Sequence, residues 1–169
     1  DAYDAALFDL DGVIYLGPLA VPGATVALAE LQRRGTKVMY VTNNAARAAE
    51  TVVKQLRELG FDAGSENVLT SAQVAATALA DVLAPGSKVL VAGSASLAGL
   101  IAEAGLRPVS SAEDEPVAVL QGYDPMLSWP TLDEVCLAIA RGASWYATND
   151  DASRPTDRGL VPGAGAMIA

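Results

Sequence analysis

The 169-residue chain contains no histidine, and its only cysteine is Cys136. Without imidazole, every Ser-His or Cys-His nucleophile pair and every histidine zinc site is excluded. A lone thiol permits neither an internal disulfide nor a thiolate metal cluster, which suits a reducing compartment. Proton transfer is left mostly to carboxylates. Positive charge is also scarce, with Lys+Arg 11 against Asp+Glu 20 and a net charge of −9 at pH 7. That field repels polyanions and argues against nucleic acid or an anionic membrane surface as partner. No long apolar run survives inspection: Gly12 to Ala29 is uncharged, but Gly12, Gly17, Pro18, Pro22 and Gly23 break it into a loop followed by a soluble helix. Asp1-Ala2-Tyr3-Asp4 lacks the positive region of a signal peptide, so a cytoplasmic location is expected.

With 51% hydrophobic and 18% charged residues, the chain has the apolar content for a packed core. Short runs rich in Val, Ile, Leu and Tyr alternate with Ala/Leu segments at helical spacing, which predicts an α/β fold with a mostly parallel sheet. A buried strand is expected over Ala5 to Asp9, a helix over Ala24 to Arg34 with Val26, Leu28, Ala29 and Leu31 inward, and a strand over Lys37 to Thr42. A helix from Ala46 to Leu59 carries Val52, Val53, Leu56 and Leu59 on one stripe. A short strand at Val68-Leu69 and a helix from Ser71 to Leu83 complete this part.

Ala84-Pro85-Gly86 punctuates the chain and is the expected domain boundary. Beyond it come strand Lys88 to Ala92, helix Ser96 to Gly105, strand Val117 to Leu120, helix Leu132 to Arg141 and strand Trp145 to Thr148. Asp150 to Pro162 shows no periodicity, and patternless loops of that length are usually functional or mobile. Gly163 to Ala169 reads as a helix just starting, so the expectation is a chain that stops inside an element.

The richest segment is Ala5-Ala6-Leu7-Phe8-Asp9-Leu10-Asp11-Gly12-Val13. Alternation in extended backbone places Asp9 and Asp11 on one side, at the carboxyl end of a strand where open α/β sheets bind ligands. Paired carboxylates repel one another, and a hard cation such as Mg²⁺ relieves that repulsion through oxygen ligands. The bland alternative is a strand-end cap followed by an Asp-Gly turn. The second strand ends in Val41-Thr42-Asn43-Asn44 ahead of a helix, where a hydroxyl and turn N–H groups can cradle an anion or merely cap the helix.

These residues, with Ala147-Thr148-Asn149 and the segment from Pro155 through Arg158 to Gly165, resemble the haloacid dehalogenase superfamily. The likeness is to its class with a large α/β cap, which includes NagD-like, 4-nitrophenylphosphatase-like, phosphoglycolate and glycerol-phosphate phosphatases. The resemblance implies a Rossmann-like core begun by residues 1–84, a cap over 85–160 and a return to the core over 161–169. It implies Mg²⁺-dependent hydrolysis of a small phosphorylated metabolite of sugar phosphate, glycerol phosphate or phosphoglycolate type. Asp9 would be the nucleophile that forms an aspartyl-phosphate and Asp11 the acid/base. Asp9 and Asp11 would hold the metal, and Thr42, Asn43 and Asn44 would bind substrate, Thr42 and the Asn43 N–H holding its phosphoryl oxygens. The family's later lysine, usually in a Gly-Lys-Pro context, and its later Gly-Asp motif do not occur among these residues. A non-catalytic relative that binds a phosphometabolite or a partner is therefore the alternative, and pairing through the cap, or with a chain that supplies the remaining core, is a further expectation.

Other α/β families fit less well. Two aspartates stand where a dinucleotide-binding first strand would lead into Gly-x-Gly-x-x-Gly, and no P-loop is present. A receiver-type domain would want adjacent acidic residues after its first strand. Asn149, Asp150, Asp151, Arg154 and Arg158 lie where a cap could reach substrate, with Arg158 either an anion contact or a solvated surface residue. Trp129 and Trp145 are expected in a core, and Cys136 as a buried small hydrophobe.

Overall fold

The structure is a computed structural model that describes residues 3–156 and 158–167. Asp1, Ala2, Asp157, Ile168 and Ala169, including the last residues of the expected terminal helix, lie outside the described residues. The chain divides into two compact units, one of Asp1–Thr42, Ala48–Thr70 and Thr156–Gly159, the other of Asn43–Arg47, Ser71–Pro155 and Leu160–Ala169. The fold is α/β with parallel sheets, as the alternation predicts.

In the first unit, strand β1 (Ala5–Asp9) leads to a small hairpin of β2 (Tyr15–Leu16) and β3 (Leu19–Ala20), then helix α1 (Ala24–Arg33). Strand β4 (Lys37–Thr42), helix α2 (Ala49–Glu58) and strand β5 (Val68–Thr70) follow. The three longer strands form a parallel sheet in the order β1-β4-β5. Phe8, Val38, Tyr40 and Val68 pack with α1 and α2 in one cluster that includes Leu28, Val52, Val53 and Leu56. Each fully buried Leu there contributes about 1.5–3 kcal/mol relative to exposure. Tyr40 is completely buried, its ring edge-on to Phe61 at 6.3 Å and its hydroxyl donating to the Asp62 carbonyl at 3.2 Å. Burial, reinforced by the Asp62 charge, pushes its phenol up to about 12.

Two sequence expectations fail in this unit. Among the described residues β1 is not buried: it lies at the edge of its sheet, and Leu7 is 69% exposed on the face opposite the helices. On α1, Leu28 is buried while Val26 is 73% exposed and Ala29 is also exposed. The inward stripe is Ala24, Leu28 and Leu31, which a turn of 100° per residue aligns while carrying Val26 to the far side.

The second unit opens with helix α3 (Ser71–Val82), followed by β6 (Lys88–Ala92), α4 (Ala95–Glu103), β7 (Arg107–Val109), β8 (Ala118–Gln121), α5 (Trp129–Ala140) and β9 (Ser144–Ala147). Its sheet is parallel in the order β7-β6-β8-β9, and every residue of β8 is buried. Alternation divides that strand between two cores. Ala118 and Leu120 face α3 and α4 with Ala72, Ala76, Leu79, Leu97 and Ile101, whereas Val119 joins Val135 and Ala138 of α5. Helix α3 thus belongs to this unit by packing, although the Pro85-Gly86 punctuation comes after it. Ser94 caps α4 and Ser128 caps α5, each hydroxyl accepting a first-turn N–H. Leu97, fully buried, is seated between Gly93 and Gly122; a Cβ on either glycine would come within 2.9 Å or 2.8 Å of its Cδ2.

Asp150 to Pro162 is not without regular structure: β10 (Ser153–Thr156) and β11 (Gly159–Pro162) pair as a hairpin, whose Pro155 and Pro162 mask any alternation in the sequence. Trp129 is 79% exposed and Trp145 40%, so neither is core, and Cys136 is exposed on α5 rather than buried. That helix buries only Val135 and Ala138, a stripe too narrow to take the neighbouring cysteine. Residues Ala164–Met167 form a single 3₁₀ turn. Among the described residues, no helix is long and apolar enough to cross a membrane.

Candidate functional site

Asp9 is the last residue of β1, and the register Asp9↔Val41 sets it beside the end of β4. Its Oδ1 accepts the Leu10 N–H at 2.7 Å. Leu10 is fully buried, while Asp9 and Asp11 on either side of it are exposed, the alternation expected from the sequence. The turn beyond is fixed by main-chain bonds. The Leu10 carbonyl accepts from Val13, Ile14 and Tyr15 at 3.0–3.2 Å, and Gly12 N donates back to the Tyr15 carbonyl at 2.7 Å. Gly12 turns the chain at φ 84°, a left-handed conformation that glycine adopts without a Cβ penalty. Ile14 and Tyr15, each 1% exposed, anchor the loop in the core. Asp11 therefore stands on a rigid support at the carboxyl edge of the sheet.

The other two strands end on that same edge. Thr42 closes β4 and Thr70 closes β5, paired in register as Thr42↔Thr70. Both are buried, at 2% and 1% exposure. Thr70 was not singled out from the sequence, although a hydroxyl between a short apolar strand and a helix start is the signal that marked Thr42. The structure thus brings Asp9, Asp11 and Thr42 to one sheet edge and adds Thr70.

Asn43 and Asn44 belong to the second unit. The side-chain amide of Asn43 donates to Asp151 Oδ2, and its carbonyl accepts Ser71 Oγ at 2.7 Å and Asn149 Nδ2 at 3.0 Å. Asn44 Oδ1 accepts the Ala46 N–H at 2.9 Å. Arg154 lies over the Tyr123 ring, 4.9 Å from its centroid, and donates to the Tyr123 hydroxyl at 2.9 Å. Arg158 is exposed, its N–H donating to Thr156 Oγ1 at 3.2 Å. The lysines sit at the start of β4, in α2 and at the start of β6, where Lys88 Nζ donates to the Asp114 carbonyl at 2.7 Å. Among the described residues, no group of three or more Cys, Asp or Glu side chains is placed to hold a metal ion. Among the described residues, the carboxylates at the sheet edge are the pair Asp9 and Asp11.

The family pattern of haloacid dehalogenase-like hydrolases matches residues 6–107. D-glycerol 3-phosphate phosphatase of Mycobacterium tuberculosis is 47% identical over 167 residues, covering 99% of this chain and 46% of that protein. An acid sugar phosphatase of Staphylococcus aureus is 36% identical over 99% of this chain and 63% of its own length. Among solved structures, glycerol phosphate phosphatase from M. tuberculosis in complex with magnesium superimposes with a TM-score of 0.93 at 46% identity, over 98% of this chain and 50% of that one. The chain therefore spans about half to two-thirds of the length of these relatives.

Proposed function

The chain belongs to the haloacid dehalogenase-like hydrolases, and we propose that it supplies the nucleophile and acid/base of a cytoplasmic phosphatase acting on small phosphate monoesters. The observation that carries this reading is the exposed Asp9–Asp11 pair, split by the buried Leu10 and fixed at the carboxyl edge of a parallel sheet. In the proposed reaction an Asp9 carboxylate oxygen attacks phosphorus, and the bond from phosphorus to the ester oxygen breaks. Asp11 gives its proton to the departing alkoxide. Asp11 then takes a proton from water, whose oxygen attacks the aspartyl-phosphate and releases inorganic phosphate with Asp9 restored. Dividing the hydrolysis into two displacements lowers each barrier, and one carboxyl group serves both proton transfers because the second step needs the base that the first has produced.

Mg²⁺ fits this donor set. It is commonly held by one or two carboxylates, with water and substrate oxygens completing its shell, so a third acidic side chain is not obligatory. The Asp9 carboxylate and the Asp11 main-chain carbonyl would hold it, and when bound it neutralises charge on the transferring phosphoryl group. The magnesium complex of the glycerol phosphate phosphatase relative supports this choice. Thr42 Oγ1 and the Asn43 N–H would hold phosphoryl oxygens, and Asn44 would contact substrate. The first unit is then the start of the catalytic core, and the sheet β7-β6-β8-β9 lies in the cap. The relatives' names favour glycerol phosphate or a sugar phosphate as substrate. A phosphate-release screen over such esters, run with Mg²⁺ on the protein carrying this sequence and on its Asp9→Asn variant, tests the reading. Equal turnover by the two proteins would overturn it.

A further inference from the structure

Asn43 is held at three points by residues distant in sequence but within its own unit. Ser71 Oγ and Asn149 Nδ2 both donate to its carbonyl oxygen, and its side-chain amide is bonded to Asp151. Asn149 serves two ends of this arrangement, since its Oδ1 accepts the Asp151 N–H at 3.2 Å. The backbone around Asp151 is secured in turn. Gly165 N donates to the Asp151 carbonyl at 2.9 Å and Gly163 N to the Ala152 carbonyl at 3.1 Å. A Cβ at Gly163 would collide with the Asp151 carbonyl oxygen, and one at Gly165 with that of Asp150. Glycine at both positions is what lets the two strands of backbone lie this close.

Peptide planarity gives this clamp a consequence. The Asn43 carbonyl and the Asn44 N–H belong to one rigid plane, and in the trans form they point in opposite directions. Two donors on the carbonyl therefore also fix the direction of the N–H across that plane. A third bond, through the side chain, holds Asn43 itself, and a residue fixed at both its carbonyl and its side chain has little freedom left to turn its own N–H. We propose that Ser71 and Asn149 are positioning residues, which with Asp151 hold Asn43 by its carbonyl and its side chain, so that the turn after Thr42, with the Asn43 N–H assigned above to a phosphoryl oxygen, is organised before an anion arrives. The inference rests on the phosphatase reading above. A peptide free to rotate would have to be ordered during phosphoryl transfer, whereas a fixed donor needs no reorganisation at that moment.

The test uses Ser71→Ala, Asn149→Ala, their double variant and Ser71→Thr, which keeps the hydroxyl. Turnover with Mg²⁺, the affinity for inorganic phosphate and the thermal midpoint are measured for each. The alanine variants should lose about 10- to 100-fold in kcat, the scale expected when a reacting group is misplaced. Phosphate affinity should fall in parallel, the thermal midpoint should hold within a few degrees, and Ser71→Thr should restore the activity lost in Ser71→Ala. Wild-type kcat and phosphate affinity in the double variant, with Asp9→Asn inactive, would overturn the clamp and leave the phosphatase reading standing. So would losses that track the thermal midpoint and are not rescued by Ser71→Thr. Should wild-type protein hydrolyse no ester, the phosphatase reading falls by itself, and inorganic phosphate binding decides: unchanged affinity in the double variant overturns the clamp, and reduced affinity upholds it.

Discussion

Thr42 and Thr70 stand opposite one another at the ends of adjacent parallel strands, both almost completely buried. Thr42→Val keeps the shape of the side chain and removes only its hydroxyl. If that hydroxyl meets a phosphoryl oxygen, kcat should fall by about 10²- to 10³-fold, as when one oxyanion donor is deleted. Thr42→Ser should retain most of the activity. Steady-state kinetics with thermal melts on both variants separate this outcome from a general loss of fold.

Asp9→Asn should abolish turnover without unfolding the protein, because an amide of nearly the same volume cannot act as the nucleophile. Asp11→Asn keeps the main-chain carbonyl but loses proton transfer, at a cost of about 10² to 10⁴ in rate. Trapping of labelled phosphate on the protein should be absent from the first variant. Labelling at wild-type levels there would place the nucleophile elsewhere.

Chelation should stop the reaction, and added Mg²⁺ should restore it. Asp9 and Asp11 would otherwise repel the phosphate that Asp9 is proposed to attack. Titration of chelated protein with Mg²⁺, followed by phosphate release, measures the dependence; full activity at the chelated starting point would remove the metal from the mechanism.

Two groups make stability depend on pH in opposite directions. Glu134 Oε2 accepts the Ala112 N–H at 2.5 Å and the Ser111 hydroxyl at 3.0 Å, and these bonds hold its carboxyl below the ordinary 4.5. A depressed folded-state value means that its contribution is complete above 4.5 and lost as pH falls through the lower value. Glu134→Gln should therefore flatten the acid limb of a plot of melting temperature against pH. Tyr40 behaves in the opposite sense. Its phenol is raised from 10.0 to about 12, so stability holds below 10.0 and is lost as pH rises towards 12. Tyr40→Phe should flatten that alkaline limb.

What could be read from the sequence follows from the range of the forces involved. The Asp9-Leu10-Asp11 alternation and the α2 stripe of Val52, Val53 and Leu56 are local, and periodicity exposes them. The exposure of Leu7 depends on which strand lies at the sheet edge, which no local pattern encodes. Trp129 and Cys136 show that an apolar side chain need not be interior, since folded proteins have too little polar surface to cover themselves. The bonds of Ser71, Asn149 and Asp151 to Asn43 span 28, 106 and 108 residues, and only the folded chain brings them together.

The seating of Leu97 between Gly93 and Gly122 ties three positions into one unit of inheritance. A methyl group gained at either glycine must displace a fully buried side chain, so each alanine replacement should be costly alone and milder beside a smaller residue at 97. Drift at these sites is then correlated: relatives that have lost either glycine should also have trimmed the leucine, and an ancestor of this unit could reach such a sequence more readily by shortening position 97 first.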